Sequence, residues 1–172
     1  MTELEICNWA LLKLGLRLIE SLDEEDIRAN YCKLLIYPLH QCLLRVFRWS
    51  FATKSIDLSP ALTNTGELIY YLPKRCLRVL RMREGAHIRG NYIVVHDKTP
   101  SLLSIKFIED VPLSVCDPLY CEALACKLAS ELCSNLVFDS QLRGFLLGSY
   151  DKALAVAVDM EGIESIERDE EY

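Results

Sequence analysis

The chain has 172 residues, of which 51% are apolar and 26% are charged, and its formal net charge is −6. A chain of this length is the size of one domain and buries about 70% of its unfolded surface, so it needs no metal or disulfide to fold. Its composition excludes disordered and low-complexity classes, and no apolar run approaches the roughly 20 residues of a membrane span. The acidic start, Met1 to Glu5, differs from the basic start of a signal peptide. The apolar surplus therefore indicates a core plus a subunit interface.

The negative charge is concentrated at the end of the chain. Between Asp159 and Tyr172 there are seven acidic residues and one basic residue, Arg168, so this segment alone carries the net charge. Such a segment is typical of a solvated, mobile tail. It is also suited to docking on a basic partner surface, with Ile163 and Ile166 providing a small apolar side.

Capping signals predict two helices at the start of the chain. Thr2 and Glu5 form a capping box that opens a helix through Leu14, which Gly15 ends. Ser21 and Glu24 form a second capping box.

The second helix is predicted to run to about Arg48. Pro38 falls in its middle and is expected to kink it or to split it after Ile36, because proline lacks the N–H that the helix needs.

The pattern then changes to short β-branched and aromatic runs separated by turn residues. These runs predict a meander of about five strands. The predicted strands are Trp49 to Leu58, Glu67 to Leu72, Cys76 to Met82, Asn91 to His96, and Leu102 to Ile108.

Two further helices are predicted after the strands, from Pro118 to about Leu136 and from about Ser140 to Met160. Asp117 is suited to cap the first of them. Gly144 and Gly148 lie four residues apart on one face of the second, where they would allow another helix to approach closely.

The predicted fold class is α+β and mainly α. N-terminal and C-terminal helix pairs are expected to form a bundle, with a small antiparallel β meander inserted between them. The chain is treated as a single domain, with a helix pair at 1–48, the β insert at 49–112, a helix pair at 117–160 and an acidic tail at 161–172.

Basic residues cluster within a stretch of 16 residues inside the β insert. They are Lys74, Arg75, Arg78, Arg81, Arg83 and Arg89. A patch facing DNA phosphates is one interpretation, although no aromatic residues alternate with the bases to stack on nucleobases. The other interpretations are an edge strand with solvated arginines and arginines paired across a subunit boundary.

No motif for catalysis or metal binding is present. The eight cysteines contain no CxxC pair and are interpreted as small buried apolar residues, and His40, His87 and His96 are isolated from one another. Phosphate-binding glycine loops and hydrolase signatures are absent. We therefore predict no enzyme activity, no catalytic residue, no metal site and no cofactor.

The order of elements, with particular residues, resembles the tail tubular protein A family of short-tailed bacteriophages and prophages, which are head-to-tail adaptor or gatekeeper proteins. The residues that carry the resemblance are Leu14-Gly15, Ile19 to Leu22, Ala29, Tyr37, Arg48 to Ala52, Tyr71-Leu72-Pro73, Cys76 to Val79, Ile105 to Asp110, Glu122 to Ala129, and Tyr150 with Ala153. Pro38 and the many cysteines depart from the family pattern.

The resemblance implies a non-enzymatic connector in the virion, at the head-to-tail interface, made in the cytoplasm of the bacterial host. Its implied partners are further copies of itself in a twelve-membered ring, the portal protein, the tail nozzle protein, and DNA that passes through the lumen without sequence specificity. No membrane is implied. The alternatives are a cytosolic helical module that binds or regulates other proteins, through the tail or the Gly144 and Gly148 face, and a hydrolase or metal enzyme of unknown type.

Three sets of residues receive roles on this interpretation. The candidate portal-docking tail consists of Glu161, Ile163, Glu164, Ile166, Glu167, Asp169, Glu170 and Glu171, and is expected to become ordered on assembly. The candidate subunit or tail interface consists of Arg75, Arg78, Arg81, Arg83 and Arg89. The structural core is expected to include Trp49, Phe51, Ala52, Leu124 and Leu128.

Overall fold

The structure is a computed structural model that describes residues 1–62, 67–95 and 101–170, with side chains of the last helix described through Ile163. It divides into two compact units. The first unit, called the helical unit, combines Met1–Phe51 with the chain from Val111 onward, and the second, called the β unit, is Ala52–Asp110.

The described part of the helical unit contains four α-helices. They are α1 (Glu3–Lys13), α2 (Ile27–Val46), α3 (Pro118–Leu136) and α4 (Ser140–Glu170). The last helix continues ten residues beyond the predicted end at Met160. An acidic segment that was expected to leave the fold as a tail therefore continues α4.

The N-terminus of α1 forms as its sequence predicts. The Thr2 hydroxyl accepts a hydrogen bond from the Glu5 amide at 3.2 Å, and a Glu5 carboxylate oxygen accepts one from the Thr2 amide at 2.7 Å. The second bond lowers the pKa of Glu5 below its ordinary value, because it favours the charged form. Gly15 follows the helix with a φ of 68°, a left-handed conformation that glycine adopts without strain.

The start of α2 differs from the prediction. Asp26 caps the helix by accepting a hydrogen bond from the Arg28 amide at 2.7 Å, whereas Ser21 and Glu24 bond to amides in the preceding turn. Pro38 does not interrupt α2, which is continuous from Ile27 to Val46. Because Pro38 is on the exposed side of the helix, water can bond the carbonyl group that loses its N–H partner.

The predicted arrangement of the helices in N-terminal and C-terminal pairs is wrong. Both α1 and α2 pack mainly against α3 and touch each other only slightly, and α4 packs along α3. The reason is the composition of α3, which is apolar around most of its circumference and rich in alanine and cysteine, so neighbours approach it from several sides. Its buried residues are Tyr120, Cys121, Ala123, Leu124, Ala125, Cys126, Leu128, Ala129, Ser130, Leu132 and Cys133.

The β unit contains seven strands among its described residues. They are β1 (Thr53–Leu58), β2 (Ala61–Leu62), β3 (Leu68–Tyr71), β4 (Cys76–Arg81), β5 (Ala86–Arg89), β6 (Tyr92–Val95) and β7 (Leu103–Glu109). They form two antiparallel sheets, one with the order β1-β7-β4 and the other with the order β2-β3-β6-β5.

The prediction of one small meander is therefore also wrong. The first strand pairs with the last, Thr53 opposite Ile108, so β7 lies between β1 and β4. Strands β2 and β5 lie between predicted strands, in stretches to which no strand was assigned. His96, the predicted end of the fourth strand, lies outside the described residues. The fold class is α+β with two sheets and a helical unit centred on α3, not a bundle of helix pairs around a meander.

The two sheets contribute to one hydrophobic core. Along β7, Leu103, Ile105 and Phe107 are buried while Ser104 and Lys106 between them are exposed, the alternation of a sheet with one apolar face. The buried cluster consists of Leu58, Leu68, Tyr70, Ala86, Ile93, Val95, Leu103, Ile105 and Phe107. Because residues of both sheets share this cluster, the β unit has a substantial core of its own.

A buried polar contact joins α2 and α3. The Tyr120 hydroxyl lies 2.8 Å from His40 Nδ1 and 3.0 Å from the His40 carbonyl oxygen. His40 Nε2 lies 2.7 Å from the Val111 carbonyl oxygen, so it is the protonated ring nitrogen, which donates this bond. The single hydrogen of the Tyr120 hydroxyl is shared between two acceptors, His40 Nδ1 and the His40 carbonyl oxygen. The rings of Trp49 and Phe51 lie 5.2 and 5.3 Å from the Tyr120 ring, both nearly perpendicular to it.

Replacing Tyr120 by phenylalanine tests this contact. We expect Tyr120→Phe to lower the free energy of unfolding by about 1–3 kcal/mol, because it removes the buried hydroxyl that bonds to His40. Urea unfolding followed by circular dichroism measures the change. Tyr37→Phe on the exposed side of α2 is the control, expected to stay within about 0.5 kcal/mol of the parent. Equal effects of the two substitutions would contradict the role given to the buried hydroxyl.

Candidate functional site

All five arginines of the predicted interface are exposed, but the structure divides them between the two sheets. Arg78 and Arg81 are on β4, an edge strand of the three-stranded sheet, and Arg89 is on β5, an edge strand of the four-stranded sheet. Arg75 and Arg83 lie just outside β4. The basic residues that cluster in the sequence therefore do not lie together on the face of one strand.

Two of these arginines share a groove of about 740 Å³ with residues of β1 and β7. Lys106 on the central strand β7 lies opposite Ser55 of β1 on one side and opposite Arg81 of β4 on the other. Arg83 also lines this groove, and among its described lining residues Glu84 is the one acid. The arrangement suits contact with a carboxylate or phosphate group, because cations outnumber acids there. We call it the basic groove.

The acidic tail is only partly available to a partner. Glu161 is buried, and its carboxylate accepts a hydrogen bond from the Ser50 amide at 2.7 Å, so it contributes to internal packing. Ile163 is exposed. The other candidate docking residues have side chains outside the described part of the structure: Glu164, Ile166, Glu167, Asp169, Glu170 and Glu171.

The residues assigned to the core lie in the interior or at its edge. Trp49, Ala52, Leu124 and Leu128 are buried, and Phe51 is half-buried. The Phe51 and Trp49 rings are stacked at 5.9 Å, and the Trp49 indole N–H donates to the Leu43 carbonyl oxygen at 3.0 Å. These contacts give the aromatic residues a structural role where α2 ends.

One exposed face of α4 is largely apolar and is here called the α4 face; the sequence analysis singled out its two glycines but not its extent. Its members recur at steps of three, four and seven residues and are Gly144, Phe145, Gly148, Lys152, Ala155, Val156, Met160 and Ile163. The exposed polar residues Gln141 and Asp159 lie on the same side of the helix. Phe145 is 72% exposed and Val156 is 50% exposed. Apart from the neighbouring residues and backbone of α4 itself, no atom of the described residues lies within 4 Å of the position that a Cβ would take at Gly144 or Gly148. The helix expected to approach these glycines does not come from the described part of the chain.

Beside the α4 face lies a groove of about 470 Å³ between α1, α3 and α4. Its wall is mainly apolar, from Leu119, Cys126, Phe145 and Val156, while the lysines at positions 13 and 152 and Glu122 give it charged groups. A groove of this kind can accept an apolar side chain from a partner surface.

A second exposed face lies on α2, here called the α2 face. It consists of the exposed residues Ile27, Leu34, Pro38 and Arg45 and the half-buried Gln41, which follow one side of the helix opposite its buried residues. Leu34 is 67% exposed and Ile27 is 57% exposed. The periodicity of α2 was visible in the sequence, but which side faces the core depends on where α3 lies.

The thiols of Cys7 and Cys32 are enclosed in the interior of the helical unit. Cys7 and Cys32 form a hydrogen-bonded pair in which the pKa of Cys7 is raised and that of Cys32 is lowered, because the Cys7 thiol donates to Cys32. Both side chains have no solvent exposure, so a substrate has no access to them. Among the described residues, no group of three His, Cys, Asp or Glu side chains is arranged to hold a metal ion.

Comparison with known proteins does not place the chain in a family. No protein-family model matches the chain, and no curated protein matches it at a significant level. Among the described helices, none is both long enough and apolar enough to cross a membrane. The function is therefore argued from the surfaces of the two units.

Cysteine accessibility tests the placement of the helices. We expect a maleimide to label Cys42 rapidly and Cys76 more slowly in the native protein, because these are the two cysteines that are not buried. The other six should react only on unfolding, and burial raises the pKa of Cys116 to about 12, which further suppresses its thiolate. Mass spectrometry of digested protein locates the label, and Cys42→Ser is the control. Rapid labelling of Cys7 or Cys32 would contradict the packing of α1 and α2.

Proposed function

We propose that the chain is a non-enzymatic subunit of a phage or prophage head-to-tail connector. In this role, copies form a ring between the portal and the tail nozzle, and DNA passes through the lumen. The observation that carries the proposal is the pair of unlike exposed apolar faces on α2 and α4. The order of sequence motifs supplies the family resemblance that directs the proposal to phage connectors.

The two faces support ring formation because of a symmetry requirement. A cyclic assembly of identical subunits uses heterologous contacts, in which one patch of each subunit meets a different patch of the next. A monomer with large exposed apolar side chains on two helices carries an association hazard unless partners cover them. A ring covers both faces with one kind of contact.

The end of α4 is the proposed portal contact. Because the segment beyond Met160 continues α4, it would dock as a helix rather than as an extended tail. Ile163 is exposed at the start of this portion, and the sequence beyond it is acidic. Glu161 is not part of the contact, since its carboxylate is bonded to the Ser50 amide.

The basic groove is the proposed contact with a neighbouring subunit or the tail nozzle. Arg81 and Lys106 are register neighbours on an exposed sheet face, and such adjacent cations favour an acidic partner surface. In a lumen, the same cations repeated around a ring would hold DNA by its phosphates and oppose its passage. We therefore assign them to a protein contact.

A second candidate function is a helical module that binds or regulates other proteins. The groove beside Phe145 favours it, because an apolar groove between helices can accept an amphipathic helix of another protein. The two functions differ in their partner: the connector binds copies of itself and the portal, whereas the module binds a different protein.

Reconstitution with the portal protein encoded in the same genome tests the connector proposal. Electron microscopy and native mass spectrometry should show a ring of the chain alone or on the portal. Deleting residues 162–172 should abolish portal binding, while keeping Glu161 and its bond to Ser50 intact. Lys54→Ser, at an exposed position of β1 that does not line the basic groove, is the control and should leave portal binding unchanged.

Two outcomes would contradict the connector. One is a stable closed dimer that does not bind the portal, because two-fold pairing uses up the association surfaces. The other is a purified protein that turns over a substrate. Binding of the portal by the shortened chain would exclude the end of α4 as the contact.

A further inference from the structure

The thiol groups of Cys7 on α1 and Cys32 on α2 meet between these two helices. Both residues belong to the buried sides of their helices, and neither side chain has any solvent exposure. The Cys7 thiol donates a hydrogen bond to the Cys32 sulfur, and both cysteines are free. Because α1 and α2 touch each other only slightly, the pair is one of the few direct contacts between them.

The buried thiols of Cys116 and Cys133 have a different kind of partner. Cys116 donates to the Pro112 carbonyl oxygen at 3.7 Å, and Cys133 donates to the Asp139 carbonyl oxygen at 3.3 Å. Oxidation can join two adjacent sulfur atoms into a disulfide, whereas a thiol beside a carbonyl group has no such partner. The pair between α1 and α2 therefore has a defined oxidation product.

Arg28 gives the two sulfur atoms of the pair different reactivity. It lies one turn before Cys32 on the same side of α2, and its guanidinium bonds both oxygens of the Asp26 carboxylate, at 2.8 and 2.7 Å. The hydrogen bond from Cys7 and the positive charge of Arg28 outweigh burial and lower the pKa of Cys32 below its ordinary value. Because the thiolate is the nucleophilic form, Cys32 is the sulfur that reacts first with an oxidant.

We propose that Cys7 and Cys32 are a modification site, which a hydroperoxide such as hydrogen peroxide converts to a disulfide. The Cys32 thiolate attacks one peroxide oxygen, so an S–O bond forms, the O–O bond breaks, and the departing hydroxide takes up the proton that Cys32 released. The Cys7 sulfur then attacks the sulfur of the Cys32 sulfenic acid, so the S–S bond forms, the S–O bond breaks, and the departing hydroxide takes up the Cys7 proton. Two thiols and one hydrogen peroxide give one disulfide and two waters.

The oxidant reaches the pair through local opening of α1. In the closed structure neither thiol is exposed, and this keeps larger reagents out. Helix α1 has 11 residues, the fewest of the described α-helices, and it touches α2 only slightly. Elements with few contacts open at a lower free-energy cost than the whole domain unfolds. Hydrogen peroxide is small and uncharged, so a brief opening admits it.

A disulfide at this point fixes α1 to α2. It closes the loop of chain between residues 7 and 32, which restricts the unfolded chain more than the folded one and stabilises the fold. The inference does not rest on the connector role. In that role, a particle that leaves the reducing cytoplasm of its host enters surroundings where disulfides persist, so the crosslink would strengthen the subunit after assembly.

Peptide mapping of the full chain tests the proposal. The Cys42→Ser chain, which lacks the exposed thiol, is reduced, treated with hydrogen peroxide in its native state, blocked with a maleimide in denaturant and digested with trypsin. Mass spectrometry should find peptide 1–13 joined to peptide 29–33, with the mass of two hydrogens lost. The four other buried cysteines should carry the maleimide, because local opening of α1 leaves them enclosed.

Urea unfolding and two variants complete the test. The oxidised chain should unfold at a higher urea concentration than the reduced chain, and dithiothreitol should restore the lower midpoint. Cys133→Ser is the matched control, since its thiol is buried beside a carbonyl group, and it should form the same crosslink as the parent. Cys7→Ser should form no crosslink and should leave a sulfenic acid at Cys32 that dimedone labels.

Three results would overturn the proposal. They are a Cys7 and Cys32 that both stay reduced in peroxide, a crosslink from either one to a different cysteine, and equal oxidation of all the buried cysteines, which would indicate global unfolding. If Cys7→Ser does not fold, the peptide map of the chain that retains both thiols decides by itself. The readouts involve neither the portal nor ring formation, so failure of this inference and failure of the connector role are distinguishable.

Discussion

The helical unit depends on the buried hydrogen bonds between Tyr120 and His40. These bonds join α2 to α3, and the second ring nitrogen of His40 donates to the carbonyl of Val111, where the chain re-enters the helical unit. The Tyr120 ring also contacts Phe51, the last residue before the chain leaves that unit. Because every buried polar side-chain atom described has a hydrogen-bond partner, this network stabilises one arrangement of the helices rather than several. Tyr120 and His40 thus contact, within the helical unit, the two residues at which the chain leaves and re-enters it, Phe51 and Val111.

Local signals in the sequence predicted much of the secondary structure, and long-range contacts account for the errors. The capping residues of α1 and α3, Thr2 and Asp117, act through bonds to amides two or three residues away, so a short stretch of sequence contains the whole interaction. The pairing of Thr53 with Ile108 spans more than fifty residues, and no local pattern specifies it. The same holds for the helices: apolar periodicity showed that α1 and α2 each bury a face, but not that α3 is the partner of both.

The candidate surfaces were less predictable than the fold, for the same reason. Glu161 lies in an acidic stretch and was assigned to solvent or a partner, yet the Ser50 amide, 111 residues away, bonds its carboxylate. The five arginines are close in sequence, but antiparallel pairing places Arg78 and Arg81 on an edge strand of one sheet and Arg89 on an edge strand of the other. In the sequence, Phe145 resembles the other apolar residues of an amphipathic helix. Its exposure becomes evident only when the side of α4 that contacts α3 is known. The pair Gly144 and Gly148 was the one local sign of the exposed face.

The apolar residues of the chain fall into two groups, those that form the core and those that are exposed on the outer sides of α2 and α4. The core of the helical unit is built around α3, whose small residues let three helices pack closely, and it does not use the outer side chains of α2 or α4. Exposed residues such as Leu34 and Phe145 therefore contribute little to the stability of the single chain. Their apolar surface becomes favourable only when another molecule covers it. Substitution of these outer side chains is therefore expected to leave the fold of the single chain intact.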